Sequence, residues 1–174
     1  MFIKILIILS VIVVLFLVIA YLIPREFRLS KSVAIDAPRE KIYDYIRFLK
    51  NQESYSVWVM TDPNIQIQYT GTDGTVGSTS AWESEMKNVG VGAQTITELV
   101  SNDKVTVEIR FEKPFKATNY SDTMLETVGE QTKVTNTFYG TTNFPMNITN
   151  LFLNKMVGGD MQKNLENLKK IMEK

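Results

Sequence analysis

The chain opens with an apolar run long enough to cross a bilayer. The nineteen positions from Ile5 to Ile23 contain one residue outside the hydrophobic set, Ser10. A helix of that length spans roughly 28 Å, which is about the hydrocarbon thickness of a membrane. The run ends with AYLI before Pro24 and lacks the small residues of a signal-peptide cleavage site. We therefore expect a retained transmembrane anchor in residues 1–24, crossing with residues 5–23, and a separate domain in residues 25–174.

The charges that flank this anchor define its orientation only weakly. Lys4 and the α-amino group precede it, and Arg25, Arg28 and Lys31 follow it. The flank on the domain side has about one more positive charge, so the positive-inside rule weakly favours a cytoplasmic domain. We expect a single-pass membrane protein and leave the side of the membrane open.

The composition excludes several classes of site. The chain has no His and no Cys, and Lys plus Arg equal Asp plus Glu at 19 each. Catalytic triads with His, thiolate nucleophiles, zinc centres with His or Cys ligands and iron–sulfur clusters all need the missing residue types. A nucleic-acid groove needs a cationic excess, which this balance does not supply. We expect no metal site, no cofactor and no nucleic-acid partner, and the oligomeric state is not predicted.

Hydrophobic periodicity predicts the order of elements in the domain. Alternation over residues 26–35 is typical of a strand, and helical spacing follows between Pro38 and Leu49. From Ile65 the period becomes two, and turn signals separate about six strands up to residue 139. The last 28 residues have a helical pattern with a kink or a fresh start expected at Gly158. The predicted class is α+β, a twisted antiparallel sheet with one face covered by the C-terminal helix.

Polar and aromatic residues on strand faces that otherwise point inward are the candidate ligand contacts. Asn136, for example, lies between Val134 and Phe138 on the same face of one strand. A few convergent polar groups in an aromatic-lined cavity would fix the orientation of a ligand. At each position the alternative is a satisfied core hydrogen bond, or a one-residue register shift that inverts the face. The candidate set is Trp82, Gln94, Glu98, Tyr120, Asn136 and Phe138.

Other charged residues are interpreted as structural. Glu83 and Glu85 lie two apart on a strand and share a face, so they could perform acid–base chemistry, but a solvated sheet face explains them more simply. Glu108, Arg110 and Glu112 alternate with apolar residues and are expected to form cross-strand pairs on the outer face. No catalytic residue is identified among these charges.

Several stretches of the chain, in their order and spacing, resemble one superfamily. They are SVAIDAPREKIYDYI, YTGTDGTVGSTSAWESE, VGVGAQTITEL, VTVEIRFEKPFKAT, TKVTNTFYG and GGDMQKNLENLKKI, within residues 27–173. The chain resembles the SRPBCC superfamily (START-like, Bet v 1-like), in particular the polyketide cyclase/dehydrase branch with an N-terminal membrane helix. The resemblance implies a helix-grip fold, in which a curved sheet wraps a long C-terminal helix around a deep apolar cavity. Members bind lipids, sterols, polyketides or other hydrophobic molecules, a minority are catalysts, and no catalytic residue comes with the resemblance.

Three functional hypotheses follow. The leading one is a membrane-anchored module that binds a hydrophobic small molecule or lipid, because only residues 24–26 separate the anchor from the first strand and would hold the cavity near the headgroups. The second is a cyclase or dehydratase whose acid–base group would be a desolvated Glu98 or Tyr120. The third is a protein-interaction module resembling the Hsp90-ATPase-activator branch of the fold, which would carry an exposed apolar patch.

Overall fold

The computed structural model describes residues 2–174. The helices are α1 Phe2–Leu22, α2 Arg39–Ile46, α3 Val57–Thr61, α4 Leu153–Met156 and α5 Gly158–Met172, with 3₁₀ segments at Leu49–Ser54 and Met146–Phe152. The strands are β1 Glu26–Ile35, β2 Gln66–Thr70, β3 Thr79–Glu83, β4 Val91–Val100, β5 Lys104–Lys113, β6 Ala117–Val128 and β7 Gln131–Thr141.

Helix α1 stands apart from the domain along almost its whole length. Its most apolar 18-residue window has a mean hydropathy of 3.4, and Ala20 is its one buried residue among those described. A core helix of a soluble protein would be mostly buried, so that explanation does not fit α1. The helix is long and apolar enough to cross a bilayer, a property that some signal sequences share.

The seven strands form one antiparallel sheet in the order β1-β7-β6-β5-β4-β3-β2. Strands β2 to β7 pair with their neighbours in the chain, whereas β1 pairs with β7 along its whole length, from Glu26 opposite Thr141 to Ile35 opposite Thr132. Two register shifts interrupt the pairing of β4 with β5, and such bulges bend a strand. The long helix α5 lies against this curved sheet, and the predicted helix-grip, α+β class is confirmed.

The hydrophobic core fills the space between α5 and the sheet near the C-terminal end of β1. Ile35, Leu125 and Val134 of the sheet meet Ile42 of α2 and Leu168 of α5, and all five are at most 1% exposed. Burial of apolar surface contributes about 25 cal/mol per Å², so this cluster holds the helix on the sheet. The space towards α3 and the β3–β4 loop is not filled, and this is where the cavity lies.

The C-terminal helical region begins afresh at Gly158, as its glycines predict. Helix α4 ends at Met156 and α5 starts at Gly158. A Cβ atom at Gly158 would collide with the side-chain oxygen of Asn154, one turn earlier. The glycine therefore allows the two helices to meet closely and lets α5 set its own direction across the sheet.

A candidate ligand cavity between the sheet and the C-terminal helix

A cavity of about 290 Å³ lies between the inner face of the sheet, α3 and α5. Its walls are mainly apolar and aromatic, with Ile67 and Trp82 towards one edge of the sheet and Phe138 and Leu165 on the side of α5. None of the described residues that line it carries a charged side chain. The volume is at the lower edge of the range of about 300–1,000 Å³ that is typical of small-molecule sites.

The aromatic wall depends on a glycine in the neighbouring strand. Trp82 of β3 lies opposite Gly92 of β4, and a Cβ atom at Gly92 would come within 2.6 Å of the indole ring. The indole N–H donates a 3.3 Å hydrogen bond to the Val89 carbonyl oxygen, and its ring meets Phe111 edge-on with centroids 6.0 Å apart. The absence of a side chain at Gly92 therefore gives Trp82 its place in the wall.

A cluster of three polar side chains interrupts the apolar lining on β6 and β7. The Asn136 amide nitrogen donates hydrogen bonds to the hydroxyl oxygens of Ser121, at 2.9 Å, and Thr123, at 3.0 Å. No hydrogen bond from residues 2–174 reaches the Asn136 side-chain oxygen, which stays available as an acceptor. The two hydroxyls keep their own protons to donate. The cluster can therefore pair with a hydroxyl or a carbonyl of a ligand.

A second polar feature joins β4 to the 3₁₀ segment Leu49–Ser54. The side-chain amides of Gln52 and Gln94 face each other, and the Gln94 nitrogen donates to the Gln52 oxygen at 2.7 Å while the reverse bond measures 3.3 Å. This pairing satisfies two neutral amides that line the cavity, without adding a charge.

The structure brings together four of the six candidate residues predicted from the sequence. Trp82, Gln94, Asn136 and Phe138 all line the cavity. The register of the sheet places these four residues on its inner face. Trp82 lies beside β4. Asn136 lies opposite Thr123 of β6, and Phe138 lies opposite Ser121. Their part in ligand binding stays a prediction.

Glu98 lies outside the cavity, and the reason is a β-bulge. The register between β4 and β5 shifts between Ile96 and Glu98, so the alternation that predicts an inward side chain at position 98 is broken there. Glu98 is exposed and forms an ion pair with Lys104 at 2.7 Å.

Tyr120 also lies outside the cavity, on the outer face of the sheet. Its hydroxyl donates to Glu108 at 3.2 Å, and its ring stacks on Tyr139 with centroids 5.7 Å apart. The neighbouring positions Asn119 and Ser121 are buried on the inner face. The sequence-based prediction placed the Tyr120 face of β6 inward. It was wrong because the inner face of β6 here carries small polar residues, which give no apolar signal. Glu108 and Arg110 lie outside the cavity, but they pair with each other along β5, at 2.6 Å, and not across strands as expected.

Several lining residues come from helical segments, where the alternation of strand residues gives no signal. Asn164 of α5 accepts a 2.7 Å hydrogen bond from the Val57 backbone N–H and so ties α5 to α3. Its position among Met161, Leu165 and Leu168 puts a polar residue inside an apolar helical stripe, and that signal was present in the sequence. Burial of the Tyr55 hydroxyl, another lining group, raises its pKa above the usual 10.0, so it stays protonated and neutral.

A curved antiparallel sheet wraps one helix, and an uncharged, mainly apolar cavity lies between them. These features define a helix-grip protein with an internal cavity. Residues 26–173 match the family model described as polyketide cyclase/dehydrase and lipid transport, and the chain belongs to that family. The resemblance seen in the sequence is thereby confirmed. No curated protein matches the sequence.

Solved structures share the fold at low sequence identity. One is a protein from Chromobacterium violaceum, with 15% identity, a TM-score of 0.56 and coverage of 86% of this chain and 98% of that one. Another is the di-domain ARO/CYC BexL of the BE-7585A biosynthetic pathway, with 12% identity, a TM-score of 0.62 and coverage of 86% and 51%. The Aha1 dimer from Colwellia psychrerythraea has 21% identity, a TM-score of 0.50 and coverage of 84% and 96%. At such identities the likeness establishes the fold.

Proposed function

We propose that this protein is a membrane-anchored module that binds a neutral hydrophobic small molecule, or a single lipid chain, in the cavity between the sheet and α5. The observation that carries the proposal is the lining: apolar and aromatic walls, neutral amides and hydroxyls, and no charged side chain among the residues described. The family's description, which includes lipid transport, agrees with this class of ligand.

The lack of charge in the cavity favours a neutral ligand. An ion that enters an apolar space without a partner loses its hydration at a cost of several kcal/mol. Lys31, which pairs with Asn136 across β1 and β7, is not among the lining residues, and its stem lies against Gly158. A charged headgroup would therefore have to lose its hydration or hold its chain partly outside the cavity, and either lowers the affinity.

The size of the cavity and its polar cluster limit the size and the polarity of the ligand. A volume of about 290 Å³ lies at the lower edge of the range typical of small-molecule sites, which favours a compact ligand or a single chain. Apolar contact would supply affinity at about 25 cal/mol per Å². Asn136, Ser121 and Thr123 would orient one hydroxyl or carbonyl group. A ring system or a single chain with one such group fits this arrangement.

The lining gives less support to an acid–base enzyme. No carboxylate, Lys or Arg of residues 2–174 lines the cavity, and both groups considered for catalysis, Glu98 and Tyr120, lie outside it. The Tyr55 hydroxyl is present, but burial raises its pKa and holds it in the neutral form. General acid–base catalysis near neutrality works best with a group whose pKa lies near the working pH.

Native mass spectrometry of the full-length protein, followed by organic extraction, tests the proposal. We expect a stoichiometric adduct of a neutral hydrophobic compound. The Asn136→Leu variant should lose that adduct or exchange it for a less polar one, while the matched outer-face variant Glu98→Gln should retain it. Recovery of apo protein alone, with no shift in Tm across a panel of neutral lipids, would overturn the proposal.

A further inference from the structure

The loops that surround the cavity mouth all lie at one end of the sheet. The strand pairs Glu26 with Thr141, Phe111 with Ala117, and Glu83 with Val91 all lie at this end. Helix α1 enters β1 at the same end, because Glu26 is the first residue of that strand. We call it the anchor end, and its loops are residues 84–90, 114–116 and 142–157, together with α3.

Exposed apolar side chains concentrate at the anchor end. Twelve large hydrophobic residues after residue 22 are exposed in the part of the chain that the structure describes, and eight of them lie here. Three are Met60, Met86 and Phe115, the last 74% exposed. The other five, which follow β7, are Phe144, Met146, Leu151, Phe152 and Met156. These eight side chains form what we call the apolar rim.

The other exposed hydrophobic residues are of a different kind. Three are Val76, Val100 and Val128 at the opposite end of the sheet, and the fourth is Met124 on β6. Scattered apolar residues of this sort are normal on a protein surface, whereas a rim of Phe, Met and Leu around one opening is typical of an interaction site.

Helix α1 is fixed to this rim by hydrogen bonds. The buried Asn147 amide nitrogen donates to the carbonyl oxygens of Ala20, at 2.6 Å, and Ile23, at 2.7 Å. Asn150 donates to the Pro24 carbonyl oxygen at 3.1 Å. Both asparagines belong to the 3₁₀ segment Met146–Phe152, which carries part of the rim. The rim therefore lies level with the last turn of α1.

We propose that the apolar rim is a second membrane contact, which inserts into the interfacial region of the bilayer and seats the cavity mouth on the lipid surface. This proposal rests on the anchoring role proposed above for α1. If α1 crosses the bilayer, its last turn marks the interface, and the side chains beside it reach a depth of about 5–10 Å, as amphipathic elements do.

This arrangement would let a ligand pass from the bilayer into the cavity without contact with water. Asn88 and Val157 line the cavity, and each adjoins an exposed part of the rim, near Met86 and next to Met156. The deep end is closed by buried residues such as Leu49 and Leu168. A molecule dissolved in the bilayer therefore enters without crossing water.

The rim loops also carry a modest positive excess. They contain Lys87, Lys116 and Lys155 but one acid, Glu85, although Lys116 pairs with Glu112 of β5 at 3.4 Å. Attraction to anionic headgroups therefore adds to the apolar insertion.

Because the chain has no Cys, single-cysteine labelling of the full-length protein in phosphatidylcholine vesicles tests the proposal directly. An environment-sensitive fluorophore is attached at Phe152→Cys, at Phe115→Cys, and at the exposed control Val128→Cys at the opposite end. We expect brominated phosphatidylcholine to quench the two rim labels strongly and iodide to quench them weakly, with the reverse at position 128.

The outcomes separate this proposal from the anchoring on which it rests. If the protein fails to float with the vesicles, the anchor itself fails. If it floats but the rim labels behave like the control, the anchor stands and the rim proposal is overturned. Rim labels shielded from both quenchers would mean that protein covers the rim, which also overturns the proposal.

Discussion

Asn147 and Ala20 are 127 positions apart in the chain, yet the side-chain amide of Asn147 donates a 2.6 Å hydrogen bond to the Ala20 carbonyl oxygen. A helix leaves its last carbonyl groups without intrahelical donors. At the end of α1 the Asn147 amide nitrogen donates to two such carbonyl oxygens, those of Ala20 and Ile23. The bonds hold helix and domain in a fixed relation. The junction therefore packs the last turn of α1, with the buried Ala20, against the domain.

Replacing Asn147 should loosen this junction. In Asn147→Ala, two carbonyl oxygens lose their donor, and we expect a loss of about 1–3 kcal/mol in the free energy of unfolding. The measurement is Tm together with amide hydrogen exchange over residues 20–25. The exposed Asn143→Ala is the matched control, and equal behaviour of the two variants would contradict the capping role.

Asn136→Leu should weaken ligand binding far more than it weakens the fold. The change removes the polar group that orients the ligand's hydroxyl or carbonyl, and one lost hydrogen bond of about 1.4 kcal/mol corresponds to a tenfold rise in Kd. Isothermal titration with the ligand recovered from the protein measures this. Glu98→Gln, on the outer face, should leave Kd unchanged, and a rise there as large as that for Asn136→Leu would argue against the cavity as the binding site.

Gly92→Ala should disturb the aromatic wall. Its new methyl group would meet both the Trp82 ring and the Arg110 carbonyl oxygen, so the indole must move into the cavity. We expect a destabilisation of about 1–3 kcal/mol together with weaker ligand binding. Gly159→Ala is the control, because nothing lies within 4 Å of its Cβ position, and we expect a gain of about 0.4–1 kcal/mol there. Equal stability of the two variants would contradict the packing described for Trp82.

Thr135→Val should stabilise the domain. The Thr135 hydroxyl is buried and has no hydrogen-bond partner among residues 2–174. Replacing an unsatisfied hydroxyl with a methyl group of similar size should add about 1 kcal/mol to the free energy of unfolding. Urea unfolding measures the change, and a decrease would show that the hydroxyl has a partner in solution.

The sequence predicted the fold well because its signals were local and redundant. Alternation located β1 and the later strands, turn residues separated them, and the glycine at position 158 marked the start of α5. The order of the elements then predicted that the C-terminal helix covers one face of the sheet, and the family resemblance added the deep cavity between them.

The site was predicted less completely, and the errors follow from two physical causes. A single bulge after Ile96 turns Glu98 outward, and a bulge is not encoded in the alternation of apolar residues. On β6 the inner face carries Asn119, Ser121 and Thr123, so the apolar pattern favours the wrong register and puts Tyr120 inside. Gln52 was missed because it lies in an aperiodic segment and reaches the cavity through its tertiary contact with Gln94.

Tryptophan fluorescence shows whether the cavity takes a neutral hydrophobic ligand. The chain has two tryptophans, and both Trp58 and Trp82 line the cavity. Full-length protein in phosphatidylcholine nanodiscs is titrated with methyl laurate and, in parallel, with laurate, which has the same chain but a charged head. We predict a saturable change in emission with the neutral ester that is weakened in Asn136→Leu, and a much smaller change with the carboxylate. Equal responses to the two probes, or none to the ester, would contradict the account.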